Sequence, residues 1–297
     1  MQLWKLPNIS IAPDAIFQIF GFTVTNTLLG SIIAGIILLL VFVLGTRRQA
    51  LIPTGMQNAI EALVEFLLGL IDGVVGGDRS RARKFFPLVA SFFFFILVAN
   101  LIDVIPGVDT IGQIDTAAIA QMHTSNQPLF GFLLFGNISN ALIPWIRPAT
   151  TDLNLNLAMG IVAIVTAQTF GFYTLGPKTH ISKYLNFRGP IDFFVGILEF
   201  IGEFTRVISL AFRLFGNIFA GSAVLAVFAF LLPVVADLIF IPFEIFVAAV
   251  QALIFALLTL IFLQITSVSH EEHGHEEEQG TADSRQGQRE LTSIATH

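Results

Sequence analysis

Long apolar runs, broken by short polar or Gly/Pro-containing stretches, set the organisation of this chain. The first, about Val24–Leu44, is long enough at ~1.5 Å per residue to cross a ~30 Å hydrocarbon core. Met56–Val75 differs: Glu61, Glu65 and Asp72, spaced by four and seven, place three carboxylates on one helical face. Leu, Ile, Val and Phe fill the other, so an amphipathic helix in the membrane interface is predicted, not a crossing. Phe85–Ile105 predicts a second crossing that stops at Pro106-Gly107, and Leu153–Leu175 a third stopped by Gly176-Pro177. Phe193–Leu232 covers about 40 residues, ~60 Å of helix and twice an upright crossing. Phe243–Ile265 follows across a Pro233–Pro242 connection. A steeply tilted helical hairpin over 190–268 accommodates that length and the polar groups spread along it. The expected fold class is all-α: a polytopic membrane protein with about five membrane helices, one interfacial amphipathic helix and a long tilted C-terminal hairpin.

The polar stretches orient these elements. Basic residues follow the first run at Arg47-Arg48, precede the second crossing at Arg79, Arg81, Arg83 and Lys84, and recur at Lys178, His180, Lys183 and Arg188. These read as cytoplasmic loops, whereas Gly107–Asp152 carries only Arg147 and reads as external, with an apolar patch at Leu129–Phe135 that dips into the membrane surface. The N-terminus is expected outside, without a cleaved signal, and the C-terminus in the cytoplasm. That topology, with no Arg/Ser-rich transit segment, favours a bacterial plasma membrane. Residues 1–269 are expected to form one integral-membrane domain and 270–297 a disordered acidic cytoplasmic tail.

Composition agrees with the pattern. The 297 residues are 55% hydrophobic and 12% charged, with a mean hydropathy of +0.80. A soluble domain carries about 25% charged residues, so two soluble domains are excluded as a reading of the length. Cys is absent, which removes disulfides and thiolate metal sites. His270, His273 and His275, interleaved with Glu, read as a solvated segment; no metal, cofactor or nucleic-acid partner is expected.

The chemistry concentrates in the last two runs. Arg213 stands inside Phe193–Val235, and a guanidinium keeps its charge at any ordinary pH. Placing it at bilayer depth costs at least ~2.5–3.5 kcal/mol. A structural pair with a carboxylate would not require that cost to be retained; intramembrane charges are functional by default, and the usual function is moving ions. Glu199, Glu203, Arg206, Ser209, Arg213 and Asn217 follow one another at spacings of three and four, so they share a helical stripe. Glu244 and Gln251, seven apart, answer from the final run, and two facing polar stripes make a water-accessible proton path. Two readings stand for Glu199, Glu203 and Arg206: part of that path, or a self-satisfied cluster anchoring the helix. Asn217 and Gln251 also suit interhelical hydrogen bonds.

The string SLAFRLFGNIFAG at 209–221 resembles the signature of the a subunit of F-type ATP synthases. NLIDVIP at 100–106, TTDLNLNLAMG at 150–160 and EIFVAAVQALIFALLTLIF at 244–262 are similar to three further motifs of that family, in the same order. The resemblance implies a stator lying against a rotating ring of c subunits, each with an ion-binding carboxylate. It implies a b-subunit peripheral stalk as a second partner, the catalytic headpiece as an indirect one, and the lipid bilayer around them. The chain would then be not catalytic alone but the proton-translocating component. Arg213 takes the family's essential arginine position, between two offset half-channels. Asn217, Glu244 and Gln251, with Asp103, are implied along the external half-channel, and Glu199 near the cytoplasmic one. Glu203 and Arg206 are placed there by stripe geometry. Ser222 stands where bacterial relatives usually carry Glu and mitochondrial ones His, so Glu244 is expected to supply the titratable relay alone, with Ser222 holding a water.

Two other classes compete. A self-contained secondary transporter would use Arg213 to bind an anionic substrate, and predicts internal repeats; no second Arg-centred segment is present. A structural scaffold would not need the long polar stripe.

Overall fold

The computed structural model describes residues 13–19, 21–47, 53, 55–105, 108, 111–114, 142–177, 180–181, 189–231 and 233–267. Among the described residues six long helices form the body: α1 (Asn26–Thr46), α2 (Met56–Val75), α3 (Arg79–Asp103), α4 (Leu153–Leu175), α5 (Pro190–Leu231) and α6 (Pro233–Ser267). Two small antiparallel ribbons accompany them, β1 (Ala15–Ile19) with β2 (Phe22–Thr25) and β3 (Gly112–Ile114) with β4 (Leu142–Pro144). Among the described residues, five helices contain stretches long and apolar enough to cross a membrane: Asn26–Thr46, Arg79–Asp103, Leu153–Leu175, Phe193–Val224 and Ile239–Ser267. The polytopic all-α class read from the sequence is therefore what the chain forms. α2 is not one of the five, and its buried stripe of Ile60, Leu67, Ile71 and Val75 packs mainly on α3, leaving Glu61 and Glu65 exposed.

Local chemistry fixes the helix ends. Thr25 caps α1 by accepting from the Leu28 amide, Asp78 caps α3 from Ser80 and Arg81, and Asp152 caps α4 from Asn154. Each satisfies donors that a helix start leaves open. The Asp78 cap corrects one expectation: Arg79, Arg81, Arg83 and Lys84 are not a loop but the first turns of α3. A second correction falls on the Pro233–Pro242 connection, which is helical. Pro233 is the first residue of α6, where a missing N–H does no harm. Pro242 sits inside the helix, as membrane helices tolerate. The apolar patch 129–135 and the tail 268–297 lie outside the described residues.

α3 is the central helix, packed on α1, α2 and α6. Its aromatic run reaches in several directions: Phe94 edge-on to Phe42 of α1 at 4.9 Å, Phe92 to Phe255 of α6 at 5.2 Å, and Phe85 to Phe170 of α4 at 5.7 Å. Small residues bring the other helices close. Ala248, Ala252 and Ala256 form the buried edge of α6, and Gly160, Ala163, Ala167 and Gly171 that of α4. A Cβ on Gly160 would stand 2.9 Å from Val207 Cγ1, so glycine there sets the α4–α5 approach. Large apolar side chains on α1, α4 and α5, among them Leu39, Val165 and Phe204, face outward, as a lipid-facing surface requires.

Candidate functional site

α5 carries the charged stripe, and its two faces separate by burial. Val207, Leu210, Ala211, Leu214 and Ile218 are buried against the bundle. Arg206, Ser209 and Arg213 are exposed, with Phe212 beside them. Glu203, by contrast, is buried, and Glu199 and Asn217 are half-buried. The stripe thus runs along the boundary between core and outer surface. Among the described residues Arg213 has no ion-pair or hydrogen-bond partner. A permanent charge on the outer face of an apolar belt calls for an anionic group from outside the chain.

A cavity of about 190 Å³ opens four residues beyond Arg213 along α5, between α3, α5 and α6. Asn100, Asp103, Asn217 and Glu244 supply its polar lining, and Phe240, Phe243 and Val247 part of its apolar wall. The structure therefore brings together three residues singled out in the sequence, Asp103, Asn217 and Glu244, from three different helices. Asn100 had not been singled out, although it stands three before Asp103 and so shares its helical face. The Thr150 hydroxyl donates to Asn100 Oδ1 at 2.6 Å, which fixes the amide in place. The buried amide nitrogens of Asn100 and Asn217 have no hydrogen-bond partner among the described residues. A donor left unmade in this way costs ~1–3 kcal/mol, so the lining favours an occupant that accepts hydrogen bonds. At ~30 Å³ each, several waters fit.

Two predicted residues lie outside that lining. Gln251 is half-buried about a turn beyond Ala248, and the Ser222 hydroxyl donates to the Phe219 carbonyl of its own helix at 3.0 Å. Thr259 and Thr266, which continue the line of Gln251, likewise bond back to carbonyls of α6.

A second cavity, about 720 Å³, lies between α4 and α5 toward the other end of α5. Glu203 lines it ten residues before Arg213, ~15 Å along the axis, together with Gln168 and His180. The Gln168 amide donates to Glu203 Oε2, and Gln168 Oε1 lies 2.6 Å from His180 Nε2. Gln168 was not foreseen as part of a site, and His180 only as a loop charge; nothing in their spacing links them to Glu203. Arg206 goes elsewhere, its guanidinium 5.7 Å from the centre of the Phe262 ring of α6.

Polar groups thus gather at two cavities at opposite ends of one long helix, with Arg213 between them. Comparison with known proteins adds the following. The family model described as ATP synthase A chain matches residues 28–264. A protein named ATP synthase subunit a from Moorella thermoacetica is 27% identical over 265 residues, 89% of this chain and 99% of its own length. Proteins of the same name from Campylobacter fetus and Geotalea daltonii are each 31% identical, over 84% and 77% of this chain and 92% and 81% of their own lengths.

Proposed function

The chain belongs to the ATP synthase A chain family, and on that premise we propose that it is the membrane stator subunit of an F-type ATP synthase, conducting protons through two half-channels against a ring of c subunits. The observation that carries this reading is the place of Arg213: exposed on the outer face, between two cavities toward opposite ends of α5, each with a few polar groups in its lining. Its proposed partner is the ring carboxylate. As a deprotonated carboxylate approaches, the guanidinium attracts it and favours its charged form, because a nearby positive charge lowers an acid's pKa. The same fixed charge bars a proton from passing straight between the half-channels. Each charge crossing 100 mV gains ~2.3 kcal/mol, and this arrangement releases it only through ring rotation.

Asp103, Asn100, Asn217 and Glu244 are assigned to the external half-channel, in which the two amide donors hold water against the carboxylates. Gln251 and Ser222 flank it. Glu203 is assigned to the cytoplasmic half-channel with Glu199, and Arg206 to the clamp that holds α5 on α6 beside it. The 42 residues of α5, ~63 Å of helix, support a tilted hairpin, since an upright crossing needs about half that length. The chain is then not catalytic alone. It works with the c ring, a b-subunit stalk and, through them, the catalytic headpiece, in a plasma membrane with its N-terminus outside. The test is ATP-driven acidification of inverted vesicles with and without Arg213→Ala.

A further inference from the structure

His180, Gln168 and Glu203 form a hydrogen-bonded chain that the family reading does not use. His180 is 1% exposed and Glu203 8%, so both are polar groups withdrawn from the surface. They stand in a cavity whose other walls are largely apolar, including Ile164, Phe172, Phe200 and Phe204. The imidazole is seated closely: its ring centre is 4.5 Å from that of Phe172, and a Cβ on Gly171 would fall 2.4 Å from Cε1 and 2.7 Å from Nδ1. Only glycine leaves room for the ring.

As the side chains stand, the hydrogen bonds run in one sense. Gln168 spends its amide N–H on Glu203, so its Oε1 is left as acceptor and His180 Nε2 must carry the proton between them. A carboxamide can also stand the other way round. Turned by half a revolution, Gln168 would donate to an unprotonated His180 Nε2 and accept from a protonated Glu203. The two settings are complementary: Glu203 ionised with hydrogen on Nε2, or Glu203 protonated with Nε2 bare.

From this we infer that His180 is a positioning residue that links the protonation of Glu203 to cytoplasmic-side pH, acting through the amide of Gln168 as a two-position latch. The inference rests on the proposed function, within which Glu203 serves the cytoplasmic half-channel. No proton has to travel through the amide: Glu203 and His180 line the same cavity, and the amide ties their two states together. Histidine is the side chain whose charge state answers to pH most readily, which suits a pH-linked group. Among the described residues, the groups around the latch include Gln168, Gly171 and Phe172 of α4 and Glu203 of α5, with the Thr266 carbonyl of α6 beside Gly171. Arg206, on the same helix, sits over Phe262.

The experiment is passive proton conduction by the intact membrane sector in vesicles, measured while the cytoplasmic-side pH is varied across neutrality. His180→Gln keeps a donor for Gln168 but cannot titrate, and Gln168→Leu removes the amide at nearly the same volume. The latch predicts that both variants lose the pH-dependent inflection that the wild type shows and conduct several-fold more slowly. It also predicts that the two together do no more than either alone. A wild-type pH profile in an assembled His180→Gln or Gln168→Leu complex overturns it, whatever the rate. Co-purification with the ring establishes assembly, and if one variant fails to assemble the other decides. Normal coupling in Arg213→Ala would instead overturn the family-level reading, so the two failures are distinguishable.

Discussion

Gly171 and His180 are fitted so closely that a methyl group on the glycine would lie 2.4 Å from the imidazole carbon and 2.9 Å from the Thr266 carbonyl oxygen. Gly171→Ala must therefore move the ring, α6 or both. Overpacking of this kind typically costs ~1–3 kcal/mol. We expect a lower midpoint of thermal dissociation in the purified complex, and His180→Ala in the same chain should restore part of the loss by vacating the space. An unchanged midpoint for Gly171→Ala would mean that the helices part without cost.

Glu244 lines the smaller cavity with Asp103 and Asn217, while Ser222 spends its hydroxyl on Phe219. Glu244→Gln should abolish ATP-driven proton pumping, and Ser222→Ala should leave most of it. Quinacrine-type fluorescence quenching in inverted vesicles measures both. Equal loss from the two substitutions would refute the idea that Glu244 is the single titratable relay.

The buried bond from Thr150 to Asn100 ties the helical turn Ala149–Thr151, just before α4, to the end of α3. Thr150→Val removes the donor and leaves Asn100 Oδ1 buried without it, a loss of ~1–3 kcal/mol, whereas Thr150→Ser keeps the hydroxyl. Thermal dissociation should therefore fall for the valine variant and stay near wild type for the serine variant. Similar midpoints for both would show that the hydroxyl contributes only through packing.

The sequence made the spans legible because hydrocarbon imposes one rule on every crossing helix: about twenty apolar residues in a row. Arg213 was legible for the same reason, being expensive where it stands. What stayed hidden depended on one side chain or on tertiary contact. Asp78 turned a basic loop into the first turns of α3, and Pro233 opened α6 where a connection was expected. The α5 stripe was visible as spacing, but spacing could not tell that Glu203 turns inward to Gln168 while Arg206 lies over Phe262. Gln168 and His180 were missed because a lone Gln in an apolar helix and a lone His in a loop carry no pattern; only the packing of Gly171 brings them together.

The measurement that bears most directly on the account is ATP-driven proton pumping in inverted vesicles for Arg213→Ala, with passive proton permeability recorded on the same vesicles after removal of the headpiece. The account predicts an assembled complex whose pumping falls to the level of vesicles lacking it, because no fixed charge meets the ring carboxylate between the two half-channels. Wild-type pumping in that variant would make Arg213 a structural residue and contradict the account.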